Sequence, residues 1–289
     1  MKIDLHIHSK DGSDGKMGLA DIFRHAAERK VDLISITDHD SIEAQEKARD
    51  LAIRYGIRYL TGVELNIRFS HPAYRDAKPI SLDMLGYGFH IHDAALNHKL
   101  GQVRAYRRER AEKILEKLNF ELQKERKPLF TQADLRAIEE TVDGSFGRPH
   151  IANYLIKKGL VRDKQEAFDK YLVKCNVPKL PVTLEEAAGL IHEAGGKLIL
   201  AHPNDPNGTS LVSLTPSLDE QIQIIREAML PHLDGVECWH SRHDPKTISA
   251  YRSFAAEMGL LATGGSDCHQ QPLILGTVDI PDFVAAQFD

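Results

Sequence analysis

His6-Ile7-His8 closes an apolar opening run. In an extended backbone residues two apart point the same way, so the two imidazoles share one face. Side-by-side neutral imidazoles suit a divalent ion of the Zn, Mn or Fe kind. The turn that follows, Ser9-Lys10-Asp11-Gly12-Ser13-Asp14-Gly15, adds two carboxylates. Further along, apolar runs end in Thr37-Asp38-His39-Asp40, in Glu64, in Ala201-His202-Pro203, in Glu237 with His240, and in Gly264-Gly265-Ser266-Asp267-Cys268-His269. Imidazoles mixed with hard carboxylates, without thiolates, fit a multinuclear Mn²⁺, Fe or Zn²⁺ hydrolytic centre.

Those groups converge only if the runs are strands of one sheet. Residues 2–5, 31–37, 58–63, 84–89, 197–201, 234–238 and 260–263 read as short buried strands. Helical patterns at 19–30, 42–55, 184–194, 218–229 and 246–258 lie between them. Strand–helix alternation predicts an α/β fold of βαβ units with a parallel sheet, and about seven such units predict a closed or nearly closed barrel, with an open doubly wound sheet as the second choice. All strand ends then lie on one rim, where such barrels keep their chemistry. No G-x-G-x-x-G follows a strand, which argues against an open dinucleotide-binding sheet. The alternation stops at residues 96–182, a charged helical stretch with helices expected at 96–125, 132–140, 150–158 and 164–174. Gly144, Gly147 and Pro149 mark a turn within it. The expected organisation is a barrel of residues 1–95 and 183–289, with 96–182 as a helical insertion covering the active site.

Composition narrows the function. Apolar residues at 42% and charged residues at 27% are ordinary globular usage. A net charge of −5 argues against stable nucleic-acid binding by charge alone. Cys175, Cys238 and Cys268 are too few for a disulfide framework or a cysteine zinc site. With no signal-like or membrane-spanning apolar run, a cytoplasmic protein with no membrane partner is expected.

In chain order, H-x-H, S-D-G, I-T-D-H-D, G-V-E, G-R-P-H-I-A, A-H-P and G-S-D-x-H resemble the PHP (polymerase and histidinol phosphatase) superfamily. More narrowly they resemble the bacterial phosphoesterases that include 3′,5′-nucleoside bisphosphate phosphatases, a 5′-to-3′ exoribonuclease and cyclic phosphate phosphodiesterases. The resemblance implies a distorted (β/α)7 TIM-like barrel with a helical insertion and two or three divalent ions, Mn²⁺ first, with Zn²⁺ or Fe²⁺ as alternatives. His6, His8, Glu64 and Asp267 would hold one ion, Asp14, His39 and His269 another, and His202 with Glu64 a third. Two departures stand out. Asp14 lies six residues after His8 where five is usual, which makes Asp11 a rival, and Asp83 occupies a place where the family has histidine. An oxygen ligand there would harden the site towards Mn²⁺ or Mg²⁺.

The substrate side rests on arginines. Leu100, Val103, Arg107, Arg110, Ile114 and Leu118 follow one another by three or four residues and share a helix face. Arginines inside such a stripe suit a bidentate clamp on phosphate, with edge-of-stripe pairing as the plainer alternative. Arg148 and His150 join them at the next helix start, where free N–H groups favour an anion and where the resemblance points as well. His202, His240 and Asp267 are the candidates for handling protons, with Lys10 and Arg242 near the same rim. Trp239 either stacks on a base or sugar or packs against the insertion. The expected activity is phosphate-ester hydrolysis by metal-activated water on a small phosphorylated metabolite, a nucleotide or ribose phosphate such as a 3′,5′-bisphosphate. A ribose 1,2-cyclic phosphodiesterase, a 5′-to-3′ exonuclease on short RNA or DNA, and an inert metal-stabilised accessory domain are the competing readings.

Overall fold

A computed structural model describes residues 1–139, 148–178, 180–270 and 273–289, and divides the chain into two compact units. Unit one, Met1–His98 with Pro181–Asp289, carries the strands. Its first half runs β1 (Ile3–Ile7), α1 (Leu19–Glu28), β2 (Leu33–Ile36), α2 (Gln45–Tyr55), β3 (Arg58–Tyr59), β4 (Gly62–Phe69) and β5 (Ile80–Tyr87). The chain then enters α3 (Ala94–Lys124), followed by α4 (Gln132–Glu139), α5 (Arg148–Lys157) and α6 (Lys164–Ala167). Unit one resumes with α7 (Leu184–Glu193), β6 (Lys197–Leu200), α8 (Leu218–Ala228), β7 (Gly235–His240), α9 (Pro245–Met258), β8 (Leu261–Gly265) and α10 (Phe283–Ala286).

Every residue of β1, β2 and β7 is buried, as expected of strands covered on both faces. Helix α1 turns Leu19, Ile22, Phe23 and Ala26 inward, the three-and-four spacing of one helical face, onto Ile7, Ile34 and Ile36. Asp244 starts α9 by accepting the Thr247 N–H at 2.7 Å, and Gly259 ends it at φ 68°, where a Cβ would be strained.

The wholly parallel sheet that was expected is not what forms. Strands β1-β2-β3 make a parallel sheet of three, and β4-β5-β6-β7-β8 a sheet of five in which β5 runs antiparallel to both neighbours. The expected strand 58–63 splits, giving β3 to one sheet and β4 to the other. Beyond Glu64, β4 continues to Phe69 and pairs with β5 from Gly62↔Tyr87 to Phe69↔Ile80. The stretch between Phe69 and Ile80 lacks the crossover helix a parallel connection needs, so the chain returns as a hairpin. Asp83 is therefore in mid-strand rather than at a strand start. Single bridges join the two sheets at Ile7↔Cys268 and at His39↔Glu64. Gln45 spans the second seam, its amide donating to the carbonyls of Ile36 (2.8 Å) and Gly62 (2.7 Å).

Unit two, Lys99–Leu180, is helical and has its own core, including Ile114, Leu118, Leu122, Leu135, Ile151, Leu155 and Tyr171. The helix expected at 164–174 shortens to α6 and continues as a π-helical turn, Phe168–Leu172. The turn expected at Gly144 and Gly147 lies outside the described residues. Among the described residues no helix is long and apolar enough to cross a membrane.

Candidate metal centre

Glu64, 1% exposed, is the hub of the strand-end cluster. Its Oε1 lies 3.0 Å from His202 Nε2 and 3.5 Å from His6 Nε2, and its Oε2 lies 3.0 Å from His39 Nδ1 and 3.2 Å from His8 Nε2. Four imidazoles thus surround one buried carboxylate. Asp267 Oδ1 faces His269 Nδ1 at 3.3 Å, His8 Nε2 at 3.4 Å and His6 Nε2 at 3.5 Å. Asp14 Oδ1 lies 3.2 Å from His269 Nε2 and 3.5 Å from His8 Nδ1, and its Oδ2 lies 3.6 Å from His39 Nε2. His202 and Asp267 both adopt positive φ, 23° and 55°, as strand-end residues turned sharply towards the cluster do.

The donor atoms fit divalent ions. Those of His8, Asp14, His39 and His269 lie within 4.8 Å of one another, as do those of His6, His8 and Asp267, and those of His6, Glu64 and His202. Buried atoms without a hydrogen bond gather here: Nε2 of His6 and His8, Oε2 of Glu64, Nδ1 of His202 and Nε2 of His240. Leaving such atoms unsatisfied is costly, and coordination to a divalent ion would relieve it. A fourth grouping, His6 with Glu237 and His240, reads differently. Glu237 Oε1 accepts from His6 Nδ1 at 3.0 Å, and its Oε2 accepts the His202 backbone N–H at 2.7 Å. That fixes the His6 proton on Nδ1, leaves Nε2 for an ion, and holds the His202 turn.

A scan of protein families matches the PHP domain over residues 4–173. The chain belongs to the PHP domain family. It is 28% identical over 280 residues to the 3′,5′-nucleoside bisphosphate phosphatase of Chromobacterium violaceum, covering 92% of this chain and 87% of that protein. It is 27% identical over 274 residues to the 5′-3′ exoribonuclease Rnm of Escherichia coli, covering 92% and 85%. A solved chain from Bifidobacterium adolescentis, described as a metal-dependent phosphoesterase, superposes with a TM-score of 0.74 at 25% identity, covering 99% of this chain and 94% of that one.

Within this PHP domain the extra residue after His8 is absorbed so that Asp14, not Asp11, reaches the histidines. Asp38 shapes that loop by accepting from the Ser9 N–H (2.7 Å), the Ser9 hydroxyl (2.7 Å) and the Ser13 hydroxyl (2.6 Å). Gly15 turns it, because a Cβ there would stand 2.1 Å from the His8 carbonyl oxygen. Asp11 instead accepts the Leu19 N–H at 2.8 Å, where α1 begins, and pairs with Lys47. Asp14→Ala is expected to lower bound metal per chain, whereas Asp11→Ala should keep the metal and cost about 1 kcal/mol of stability, the scale of a lost helix cap. Metal analysis with a denaturant melt checks both, and equal metal loss would reverse the assignment.

Asp83 joins His39 and Glu64 in a further grouping, but both of its oxygens carry hydrogen bonds. Asn66, opposite it in register, donates to Oδ1 at 2.6 Å, and the Thr209 hydroxyl donates to Oδ2. His240 is buried and accepts the Arg242 backbone N–H on Nδ1 at 3.2 Å, with its Nε2 3.4 Å from Asp267 Oδ2. Lys10 is exposed. Trp239 is buried against Phe283 (5.8 Å between ring centroids), with the Arg252 guanidinium 5.7 Å from its ring, so it packs within unit one and stacks on no open face.

The four predicted phosphate ligands lie on helices of unit two. Arg107 and His150 are half-buried. Arg110 is buried, its Nε donating to the Val177 carbonyl at 2.6 Å. Arg148 donates from Nη1 to the Leu172 carbonyl at 3.2 Å and lies 5.4 Å from the Phe168 ring centroid. Burial, and then the positive charge of Arg148, pull the Arg110 guanidinium below its ordinary value.

Sequence reading singled out Glu237 and Asp38 at strand ends without their supporting roles, and missed Asn66 and Thr209 beside Asp83 and Asp205 beside Arg242. The role of Glu237 was discoverable, because an acid in a wholly buried strand has to find a partner inside. Glu237→Gln is expected to weaken metal binding by about 10–100-fold with the fold retained, the usual effect of removing a ligand's supporting carboxylate. Chelator competition measures it, and unchanged affinity would leave Glu237 only the His202 backbone to hold.

Charge inside the cluster makes the stability of metal-stripped protein depend on pH. Burial pulls the His202 imidazole down, but the hydrogen bond and charge of Glu64, then Asp267 and Asp83, outweigh it and hold it at about 9, against an ordinary 6.5. Its contribution is complete below pH 6.5 and lost as pH rises through about 9. Burial pushes Glu237 up, but His6 and then His240 and His202 bring it down to about 2, against an ordinary 4.5. Its contribution is present above pH 4.5 and lost as pH falls towards 2. The stripped protein should therefore melt highest between about pH 4.5 and 6.5, and saturating Mn²⁺, which competes with protons for the same nitrogens, should move that optimum upward. Thermal melts from pH 4 to 10 check this, and a flat Tm from pH 6 to 9 would contradict it.

Proposed function

We propose that this PHP phosphoesterase, a phosphoric ester hydrolase, removes phosphate from a small nucleotide or ribose phosphate, with a 3′,5′-bisphosphate as the leading substrate. The observation that carries the reading is Glu64 among four imidazoles, with Asp267 and Asp14 completing the ligand set. A donor set of imidazole and carboxylate suits Mn²⁺, Zn²⁺ or Fe²⁺, with Mn²⁺ put first by the family resemblance, and two or three ions are proposed for the overlapping groupings. Such ions, when bound, neutralise phosphoryl charge and make water nucleophilic at neutral pH.

The chain's own residues then orient and move protons. His240 accepts the Arg242 N–H at Nδ1, which leaves its proton on Nε2 beside Asp267, in place to protonate a leaving oxygen. His202 Nε2 is held by Glu64 while its Nδ1 has no hydrogen bond, which fits a proton acceptor or an ion ligand. Arg107, Arg110, Arg148 and His150 are the proposed ligands of a non-reacting phosphate. The bisphosphate phosphatase relative supports the substrate class, and a net charge of −5 favours a small substrate over a long nucleic acid. A phosphate-release screen with Mn²⁺ over nucleoside mono- and bisphosphates, ribose cyclic phosphates and short oligonucleotides tests it. The bisphosphates should lead. A rate that climbs with oligonucleotide length would favour the exonuclease reading, and no release from any of them would end the phosphoesterase one.

A further inference from the structure

We infer that Arg242 is a catalytic residue that takes up charge on the phosphoryl group being cleaved, an inference that rests on the phosphoesterase reading. Its Nη2 lies 2.6 Å from Asp267 Oδ2 and 2.7 Å from Asp205 Oδ2. Asp267 turns its other oxygen to His6, His8 and His269, so the guanidinium stands one carboxylate away from the proposed ions. Asp205 is fully buried, and its Oδ1 accepts the Asn207 N–H at 2.9 Å. The Arg242 backbone N–H is held by His240 Nδ1, in a turn closed by the His243 N–H on the His240 carbonyl at 3.0 Å. Backbone and side chain are thus both fixed.

The guanidinium remains reachable. Its side chain is 38% exposed while the carboxylates it bridges are buried. One of its three nitrogens makes both contacts, and Nη1 and Nε bond no other described residue. Among the described residues no other lysine or arginine forms an ion pair with a carboxylate of this cluster. A phosphate ester arriving at a site rich in carboxylates needs positive charge from the protein as well as from ions. A fork donor anchored at one corner offers its remaining N–H groups with little rearrangement. A mere strut between the two loops would need neither the exposure nor the spare donors.

The test compares Mn²⁺-loaded wild type with Arg242→Ala and Arg242→Lys. Arg242→Ala should lose about 100–1000-fold in kcat/KM, the scale of a removed charge-stabilising donor, against one- and two-phosphate substrates alike. Inhibition by inorganic phosphate should weaken at least tenfold, added guanidinium ion should restore part of the rate, and Arg242→Lys should fall between. Metal content should stay near wild type in both variants, and Tm should stay near it in Arg242→Lys, which keeps a cation beside buried Asp205. A rate loss that tracks lost metal, with no guanidinium rescue, makes Arg242 a strut and overturns the inference, as does unchanged phosphate inhibition. If wild type hydrolyses no phosphate ester, the phosphoesterase reading fails by itself. Calorimetric titration with inorganic phosphate then still decides on Arg242, because equal binding by wild type and Arg242→Ala rules it out.

Discussion

Glu64→Ala should reduce phosphate release by at least about a thousandfold, the scale on which a site fails when its parts act as one unit. Glu64 alone faces His6, His8, His39 and His202, two imidazoles on each oxygen. Removing it takes a carboxylate from two of the groupings and leaves three buried imidazoles and the half-buried His39 without their counter-charge. Bound metal should fall with the rate. Glu64→Gln separates charge from shape, since the amide fills the same space but brings no charge and an N–H₂ that can only donate. It should fail nearly as badly while circular dichroism stays close to wild type. Wild-type metal content and phosphate release in either variant would remove Glu64 from the centre.

Most of this cluster was legible in the sequence because barrel-like folds gather chemistry at strand ends. His6, His39, Glu64, His202, Asp267 and His269 needed only the rule that buried apolar runs do not stop in ionisable groups without reason. The Asp11 and Asp14 ambiguity was a different matter. Spacing left both open, and the outcome turned on Asp38, whose hydroxyl and amide contacts set the course of the intervening loop. The reversed β5 was hidden because a buried strand has the same apolar run in either direction, and only the missing crossover helix before Ile80 carried the information. Supporting carboxylates were hidden for a related reason. Glu237 and Asp205 act on residues 231 and 37 positions away, and no local pattern encodes such a partner.

The arginines of the helical unit carry the other large effect. Arg148→Ala should cost about 2–3 kcal/mol in kcat/KM against a bisphosphorylated substrate, the range for a hydrogen bond to a charged group. Arg110 and Arg148 stand close enough for their like charges to act on one another, with Arg110 buried and braced on the Val177 carbonyl. A bound phosphate would offset that repulsion, as the proposed clamp requires. Binding energy from a phosphate that does not react positions the one that does, so its loss should appear in kcat/KM and partly in kcat. Against a substrate with one phosphate the same variant should lose far less, because that contact was never made. Arg242→Ala is expected to show no such dependence on the second phosphate, so the two arginines are distinguished by one pair of substrates. Should Arg148→Ala weaken both substrates equally, Arg148 serves the reacting phosphate or the helical core it touches at Leu172 and Phe168.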